Sequence, residues 1–438
     1  MKNTDEFVKS ALRNLGFESL NELQTETLEK SNLHPNLLVL SKTGSGKTLA
    51  FLLPLIAQLE NIKKTQALIV VPSRELALQI EQVFKAIKSS FKVTVCYGGH
   101  SMRVEQNSLV EQPAVIIGTP GRICDHLDRG HLELNEVSHF IVDEYDKCLE
   151  FGFEDQMRFI HEHLKNLQKT WLISATEHKD FPRFIRFDAP CVINYLNQSE
   201  DPNIEFLKIP VNNSNKFENL YQALCSFEGA LTIVFCNYRE ATTSITEFLA
   251  TKGYEAVSYH GGMEQEERER ALMKFRNGSF HTLVCTDLGS RGLDIPEIQH
   301  VVHFQYPHNL EAFIHRNGRT ARMKSDGKSY LMINQDEETP EYLELPNKSY
   351  AIQGTYFPTL SPWVTLYFSG GKKDKINKVD IVGFLGKQAG LEKHEIGLIT
   401  TMDFATYVAI PREKSRSILS SIRDVKVKGK KLKIAVSR

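Results

Sequence analysis

The stretch that decides the fold runs from residue 37 to residue 48 and reads Leu37-Leu38-Val39-Leu40-Ser41-Lys42-Thr43-Gly44-Ser45-Gly46-Lys47-Thr48. An apolar run typical of a buried strand leads into a glycine-containing loop, and an apolar helical pattern follows directly. Glycines there let backbone N–H groups approach phosphate oxygens, although the strict pattern has glycine where Ser41 stands. We predict a nucleotide site in which Lys47 contacts the phosphates, Thr48 holds Mg²⁺, and the remaining ligands are Thr43, Gly44, Ser45 and Gly46.

Short apolar runs alternate with helical patterns along most of the chain, which predicts βαβ units and parallel sheets. The alternation stops at the polar stretch 197–203 and then restarts. We predict an α/β fold with one parallel-sheet lobe over residues 1–200, a second over 201–338, and a polar linker over 339–361. Residues 362–438 follow the order βαββαβ, the ferredoxin-like arrangement of RNA-recognition modules.

Composition and charge narrow the class of protein. The 438 residues carry 53 Lys and Arg against 54 Asp and Glu, and 41% are hydrophobic, which excludes disordered and fibrous classes. Residues 370–438 nevertheless hold 16 basic residues against 7 acidic ones, which favours a partner with phosphates. No apolar run reaches the roughly 18 residues of a membrane helix, so we expect no membrane partner and a cytoplasmic location. The seven cysteines contain no C-x-x-C pair and predict reduced thiols without a zinc site.

Two polar motifs end predicted strands of the first lobe. Asp143 and Glu144 come directly after an apolar run, and Ser174-Ala175-Thr176 closes another. Beside a phosphate loop, an Asp at such a position can bind the metal and a Glu can orient the attacking water. We therefore predict catalytic roles for Lys47, Asp143 and Glu144, with Asp143 as a Mg²⁺ ligand; the alternative is an ordinary surface pair of carboxylates.

Three arginines recur at a spacing of three residues, at Arg316, Arg319 and Arg322. In a helix they would lie roughly on one face. One interpretation is a solvated basic helix. The other is that the second lobe delivers arginine fingers, Arg319 and Arg322, to the γ-phosphate held by the first lobe, an effect worth about 10³ to 10⁵ in rate.

The order of these motifs over residues 5–335 resembles the DEAD-box RNA helicase family, and the resemblance implies two RecA-like lobes. Gly16-Phe17 with Gln24 is similar to the adenine-reading motif of that family, and Phe7 falls where the family keeps an isolated aromatic. Gln can pair with both a donor and an acceptor on the adenine edge, while Phe offers a stacking face. The resemblance implies ATP as the nucleotide, bound also by Asp294 at the ribose.

The resemblance also implies an RNA-binding set on each lobe and a coupling motif. Ser174 and Thr176 would couple hydrolysis to RNA binding. Tyr145 stands where the family has alanine, so we expect a bulky phenol there to alter that coupling contact. The residues implied to bind RNA are Arg74, Gly98, Gly99, Thr119, Arg122, Arg268, Thr286 and Arg291.

Residues 364–438 resemble the C-terminal RNA-binding domain of the DbpA subfamily, which docks on a hairpin of large-subunit ribosomal RNA. Strand alternation independently turns Tyr367 and Tyr407 outward, as candidate platforms for base stacking or as ordinary surface tyrosines. Most of the affinity is expected from lysine loops that contain Lys372, Lys373, Lys375, Lys428, Lys430 and Lys431.

The sequence therefore predicts a monomeric, ATP- and Mg²⁺-dependent RNA helicase that opens RNA locally, with ribosomal RNA and pre-ribosomal particles as partners. Opening four or five base pairs costs roughly 6 to 7 kcal/mol at about 1.4 kcal/mol per stacked step, which a closing ATP-clamped groove could supply. Two alternatives stay open: an ATP-gated RNA-binding clamp with weak unwinding, and a helicase that acts on DNA.

Overall fold

The structure is a computed structural model. It describes residues 4–42, 44–99, 101–177, 181–182, 184–185, 187–196, 203–212, 214–287, 298–320, 326–334, 337–352 and 354–437. Within these ranges, no helix is both long enough and apolar enough to cross a membrane.

The first lobe is built on a parallel sheet. Among the residues that the structure describes, this sheet has seven strands in the order β3-β4-β2-β5-β6-β1-β7. The strands are β1 Asn36–Leu40, β2 Ala67–Val70, β3 Val93–Cys96, β4 Val115–Gly118, β5 His139–Val142, β6 Lys169–Ser174 and β7 Cys191–Asn194. The helices are Thr4–Leu15, Glu22–Leu33, Lys47–Gln58, Arg74–Ile87, Met102–Leu109, Pro120–Asp128, Tyr145–Glu150 and Glu154–Glu162.

The central strands are buried on both faces, which explains their continuous apolar runs. Every residue of β2, β4 and β5 is buried, as expected where helices cover both sides of a parallel sheet. Strand β1 pairs with β6 in a register that places Leu40 beside Ser174. The phosphate loop and the Ser174-Ala175-Thr176 motif therefore leave the sheet at the same edge, as loops at the carboxyl ends of parallel strands do.

The second lobe repeats this architecture. In the part of the lobe that the structure describes, six parallel strands follow the order β10-β11-β9-β12-β13-β8. The strands are β8 Ile204–Val211, β9 Thr232–Cys236, β10 Ala256–Tyr259, β11 Thr282–Thr286, β12 His300–His303 and β13 Gly327–Asn334. The helices are Lys216–Ser226, Arg239–Thr251, Gln265–Arg276 and Leu310–Asn317.

The stretch predicted as a polar linker lies along the second lobe. The Lys208 amide donates to the carbonyl of Lys348 at 2.9 Å, and the Tyr350 amide donates to the carbonyl of Lys208 at 2.7 Å. Tyr350, Ile352 and Tyr356 pack against the core of the lobe. This stretch is therefore part of the lobe's packing, although its composition is that of a connector.

The C-terminal domain has the predicted βαββαβ order. Its described strands form an antiparallel sheet in the order β15-β16-β14-β17. They are β14 Trp363–Phe368, β15 Ile399–Thr401, β16 Thr406–Pro411 and β17 Ile434–Val436, and the helices are Lys378–Ala389 and Ser415–Ile422. Both helices pack on one face of the sheet, where Leu366, Phe368, Val408 and Ile410 form the core. The α/β fold with two parallel-sheet lobes and a ferredoxin-like domain is confirmed.

The C-terminal domain is docked on the second lobe through its other sheet face. Thr365, 2% exposed, shares hydrogen bonds with the side chains of Ser279 at 2.8 Å and Asn277 at 2.8 Å. The Arg412 guanidinium pairs with both carboxylate oxygens of Glu255, at 3.1 and 2.6 Å. The Thr365 contacts join the domain to the loop that follows the helix Gln265–Arg276, and the Arg412 pair joins it to Glu255, directly before β10.

Candidate active site and RNA interface

The phosphate loop has the backbone that its sequence predicts. Gly44 and Gly46 have φ of 87° and 88°, in the left-handed region that favours glycine. The helix Lys47–Gln58 begins directly after Gly46, so its N-terminal N–H groups face the loop. The Lys47 ammonium donates to the carbonyl of Ser41 at 2.6 Å, which folds the lysine back over the loop. Thr43 lies outside the described residues.

The segment before the second helix braces the phosphate loop. The Asn21 side chain donates to the carbonyl of Ser45 at 2.9 Å, and the Gln24 amide nitrogen lies 3.4 Å from the carbonyl of Gly46. Asn21 and Gln24 also cap the helix Glu22–Leu33 reciprocally, which fixes their orientation. Phe17 is 48% exposed and presents an open ring face near this segment of the chain. Gln24, the predicted adenine reader, thus directly contacts the predicted phosphate loop.

Phe7 lies away from the phosphate loop. Its side chain packs on the core of the first lobe and lines a cavity of about 280 Å³ with Ile56, Ala57, Ile87 and Phe91. Ile56 is near the far end of the helix that begins at Lys47, roughly 13 Å along its axis at 1.5 Å per residue. Phe7 is therefore a packing residue here, and the expectation that it contacts the nucleotide is corrected.

Asp143 is buried at the end of β5, close to the phosphate loop. It is 3% exposed, and its Oδ1 accepts a hydrogen bond from the Glu144 amide at 2.9 Å. Burial raises the pKa of Asp143 to about 7, the Glu144 carboxylate adds to this rise, and the Lys47 ammonium opposes it. Glu144 has a φ of +50°, a strained backbone of the kind found at functional sites.

The coupling motif contacts the segment after β5. The Thr176 hydroxyl donates to Asp146 Oδ2 at 3.0 Å, and the Ser174 hydroxyl donates to the carbonyl of Thr176 at 2.7 Å. Tyr145 is fully buried in the core cluster beneath the sheet, with its ring 6.0 Å from that of Phe181. The phenol packs into the core while the Asp146–Thr176 hydrogen bond is present, and the expected effect of Tyr145 on coupling stays a prediction.

The predicted RNA residues of the first lobe form one connected network. The Arg74 guanidinium lies 4.5 Å from the ring centre of Tyr97. Tyr97 directly precedes Gly98 and Gly99 in the chain, and both glycines are exposed. The Tyr97 amide donates to Glu105 Oε1 at 3.1 Å. Arg122 Nε donates to Glu105 Oε2 at 2.7 Å. Arg122 lies in the helix Pro120–Asp128, which Thr119 directly precedes.

Sequence reasoning missed Glu105 and Tyr97, the two residues that hold this network together. Glu105 is 2% exposed and also contacts His126 Nε2 at 2.7 Å. The available signal was a single acidic side chain on the buried face of the short helix Met102–Leu109, which is unusual unless the charge is paired.

In the second lobe, Arg268 lies beside Tyr259, with Nη2 3.4 Å from the tyrosine hydroxyl. Thr286 ends β11 and is 7% exposed. Arg291 and Asp294 lie outside the described residues, so their predicted roles stay predictions.

The arginine motif is not a single helical face. The helix Leu310–Asn317 ends before Arg319, and Arg316 is 1% exposed. The Arg316 guanidinium donates to both oxygens of Asp287, at 2.6 and 2.7 Å, to the carbonyl of Gln305 at 3.0 Å and to Asn237 Oδ1 at 2.8 Å. Arg316 is thus a structural residue, and the predicted common face is wrong; Arg322 lies outside the described residues.

The sheet tyrosines differ from the prediction in one respect. Tyr367 and Tyr407 are paired in register on the face opposite the core, as predicted, with ring centres 5.4 Å apart. Tyr407 is however only 3% exposed. Burial raises its pKa to about 12, with Arg270 opposing and Glu266 and Glu269 contributing to the shift, which places the hydroxyl near the helix Gln265–Arg276. Tyr407 is therefore not available for base stacking.

Three family models match the chain. A DEAD/DEAH box helicase model matches residues 21–183, a helicase conserved C-terminal domain model residues 215–324, and a DbpA RNA binding domain model residues 365–436.

Two relatives are similar over nearly the whole chain. ATP-dependent RNA helicase DbpA of Bacillus subtilis (strain 168) is 33% identical over 97% of this chain and 96% of the relative. ATP-dependent RNA helicase DbpA of Escherichia coli (strain K12) is 30% identical over 97% and 95%. A solved structure of DEAD-box helicase Mss116 bound to ssRNA and UDP-BeF has a TM-score of 0.69 and 27% identity, over 76% of this chain and 73% of that chain.

A phosphate loop and a carboxylate pair at the end of β5, carried by the first of two parallel-sheet lobes, define an NTP-driven motor protein of the helicase class. The chain belongs to the DEAD-box ATP-dependent RNA helicases of the DbpA type. It is an RNA-dependent ATPase with a C-terminal RNA-binding domain.

Proposed function

We propose that this helicase remodels large-subunit ribosomal RNA during subunit assembly, held to its target by the C-terminal domain. The observation that supports this target is the match of residues 365–436 to the DbpA RNA binding domain, in a segment that carries exposed lysines at 372, 373 and 375. The subfamily resemblance links this domain to a hairpin of that RNA. A bound hairpin would keep the motor on neighbouring helices, so that local opening of a few base pairs suffices.

In this proposal, each predicted ATP-site residue has a separate task. The loop amides and Lys47 bind the phosphates, Phe17 and Gln24 contact adenine, and Glu144 orients the attacking water. Arg319, 6% exposed, supplies the finger from the second lobe.

Mg²⁺ fits the donor set that is present. Asp143 is a buried carboxyl whose ionised form is disfavoured by burial and by Glu144, and a divalent cation would stabilise that charge. Thr48 and Asp143 would hold the ion. When bound, Mg²⁺ neutralises charge on the β- and γ-phosphate oxygens.

The decisive test of the ATP site is Glu144→Gln in the full chain. The amide keeps the shape and can contact the water but is no base and carries no charge. We expect unchanged ATP binding by equilibrium titration and loss of RNA-stimulated phosphate release, with Glu81→Gln as the control on the same lobe. Full turnover by Glu144→Gln would contradict the assignment.

The proposed target is tested by crosslinking the protein to RNA in cells and sequencing the attached RNA. We expect enrichment of one region of large-subunit ribosomal RNA. Enrichment of unrelated RNAs, or of DNA in a parallel capture, would refute the target while leaving the ATP-site result untouched.

A further inference from the structure

Much of the outer sheet face of the C-terminal domain is covered by the second lobe. RNA-recognition folds commonly stack bases on aromatic residues of this face. Here Thr365, Tyr407 and Ala409 are 2%, 3% and 0% exposed, and the contacts of Thr365 and Arg412 show that the second lobe covers the face. The covered residues leave no room for a stacked base, whereas an exposed aromatic ring is present elsewhere on the domain.

The lysine loops are unequal in the charge that they offer. Lys428 pairs with Asp380 at 2.9 Å and also donates to the carbonyl of Lys375 at 2.9 Å. Lys430 pairs with Asp374 at 3.0 Å, and Lys431 lies 3.6 Å from Asp424. The charge of the second loop, which contains Lys428, Lys430 and Lys431, is thus partly neutralised. Its contacts with Asp374 and Lys375 hold the first loop, which contains Lys372, Lys373 and Lys375, in place.

The first loop keeps its positive charge. Lys372, Lys373 and Lys375 are exposed, and within the described part of the chain none of them forms an ion pair. Phosphate contacts are therefore best supplied by these three side chains.

The hairpin between β15 and β16 packs directly against this loop. The Lys372 amide donates to the carbonyl of Met402 at 2.8 Å, and the Lys373 amide donates to the carbonyl of Asp403 at 2.9 Å. A Cβ at Gly371 would come within 2.1 Å of the Met402 carbonyl oxygen, so the two backbones touch. The next residue along the hairpin is Phe404, whose side chain is 71% exposed.

We propose that Phe404 stacks on an unpaired RNA base, while Lys372, Lys373 and Lys375 bind the phosphates on either side of that nucleotide. The inference deepens the proposed function and rests on the C-terminal domain being the RNA anchor. An exposed aromatic ring beside unpaired cations suits a single-stranded nucleotide, because the ring stacks on any base and the cations follow the backbone. Duplex RNA offers no free base face at this position.

The test uses the full chain and two RNA probes. One is a stem-loop that carries 2-aminopurine in its loop, and the other is a blunt duplex with the same stem. Phe404→Leu removes the ring but keeps an apolar side chain. We expect it to bind the stem-loop about 5- to 150-fold more weakly, as for loss of one stacked base, with unchanged duplex binding.

Two further variants separate stacking from other effects. Phe404→Trp should restore stem-loop binding and the quenching of 2-aminopurine, which Phe404→Leu loses. Phe357→Leu changes another exposed phenylalanine, at 79%, and should bind both probes as the wild type does. The double variant Lys372→Ala, Lys373→Ala should bind both probes more weakly. The slope of log K against log salt concentration should become less steep by about 1.5.

The inference is overturned if Phe404→Leu binds the stem-loop with wild-type affinity and quenching, or if it weakens both probes equally. These readouts are binding measurements, so they stay separate from the target: a wild-type protein with no preference for large-subunit RNA would refute the proposed target, yet the comparison of Phe404 variants would still be decided.

Discussion

Arg412 of the C-terminal domain forms a bidentate ion pair with Glu255 of the second lobe, with Nη2 2.6 Å from Oε2 and Nη1 3.1 Å from Oε1. The same guanidinium donates through Nε to the carbonyl of Ser361 at 2.6 Å. This ion pair joins the second lobe to the C-terminal domain where the connecting chain enters β14. It therefore fixes the orientation of the domain on the lobe as well as the distance between them.

Arg412→Ala should loosen the docking of the C-terminal domain. The two side chains are 30% and 33% exposed, so water screens the pair and we expect a coupling energy of only about 1 kcal/mol in a double-mutant cycle with Glu255→Ala. Trp363 lies next to Gly278 in this interface, so its fluorescence should shift to longer wavelength as it becomes hydrated. Lys414→Ala breaks an ion pair with Glu395 inside the domain and should leave the spectrum unchanged; an equal shift in both variants would contradict the interface role.

Glu105→Gln should weaken RNA binding by the first lobe. The amide can still accept from Tyr97 but carries no charge for Arg122, whose orientation depends on the pair at 2.7 Å. We expect the KM for RNA in the ATPase assay to rise about ten-fold, the loss of roughly 1.4 kcal/mol from a charged hydrogen bond, while the KM for ATP stays constant. Glu81→Gln, which removes a surface pair with Lys85, is the control. A change in the KM for ATP alone would show that Glu105 serves the nucleotide site instead.

Arg316→Met separates a structural arginine from a finger. Four hydrogen bonds would be lost, and the Asp287 carboxylate would lose its bidentate pairing with the Arg316 guanidinium, so the free energy of unfolding should fall by about 3 to 5 kcal/mol. Urea unfolding measures this change, and Arg158→Ala, which breaks an exposed pair with Glu154, should cost less than about 1 kcal/mol. A folded Arg316→Met with wild-type stability and no ATP turnover would instead identify Arg316 as a finger.

His303 should make the second lobe sensitive to mild acid. Burial lowers the pKa of His303 to about 3, and Arg316 adds to that effect. Below the ordinary value of about 6.5 the unfolded chain takes up a proton that the folded chain does not, so stability is present above pH 6.5 and is lost as the pH falls towards 3. Between pH 7 and 5.5 this residue should cost about 1 kcal/mol of unfolding free energy.

The measurement is urea unfolding of the wild type and of His303→Gln at both pH values. The variant should lose about 1 kcal/mol less than the wild type over that interval. Identical losses would show that His303 does not cause the acid sensitivity.

What the sequence predicted well is local. The phosphate loop, the strand that ends at Val142 and the βαββαβ order depend on near neighbours in the chain, so pattern and glycine placement suffice for them. The errors concern long-range contacts. The role of Arg316 depends on Asp287 and Asn237, which lie far away in the sequence. The exposure of Tyr407 depends on a helix more than one hundred residues earlier in the chain. The alternation of residues within the strand contains no information about that helix.

The docked domain has one mechanical consequence. The connector is hydrogen-bonded along the second lobe through Lys208 and Tyr350, and Arg412 holds the far side of the joint. In the proposed function, an RNA hairpin bound by the C-terminal domain is consequently held at a fixed distance and orientation relative to that lobe. The number of nucleotides between the bound hairpin and the RNA helix to be opened then determines which RNAs can be substrates.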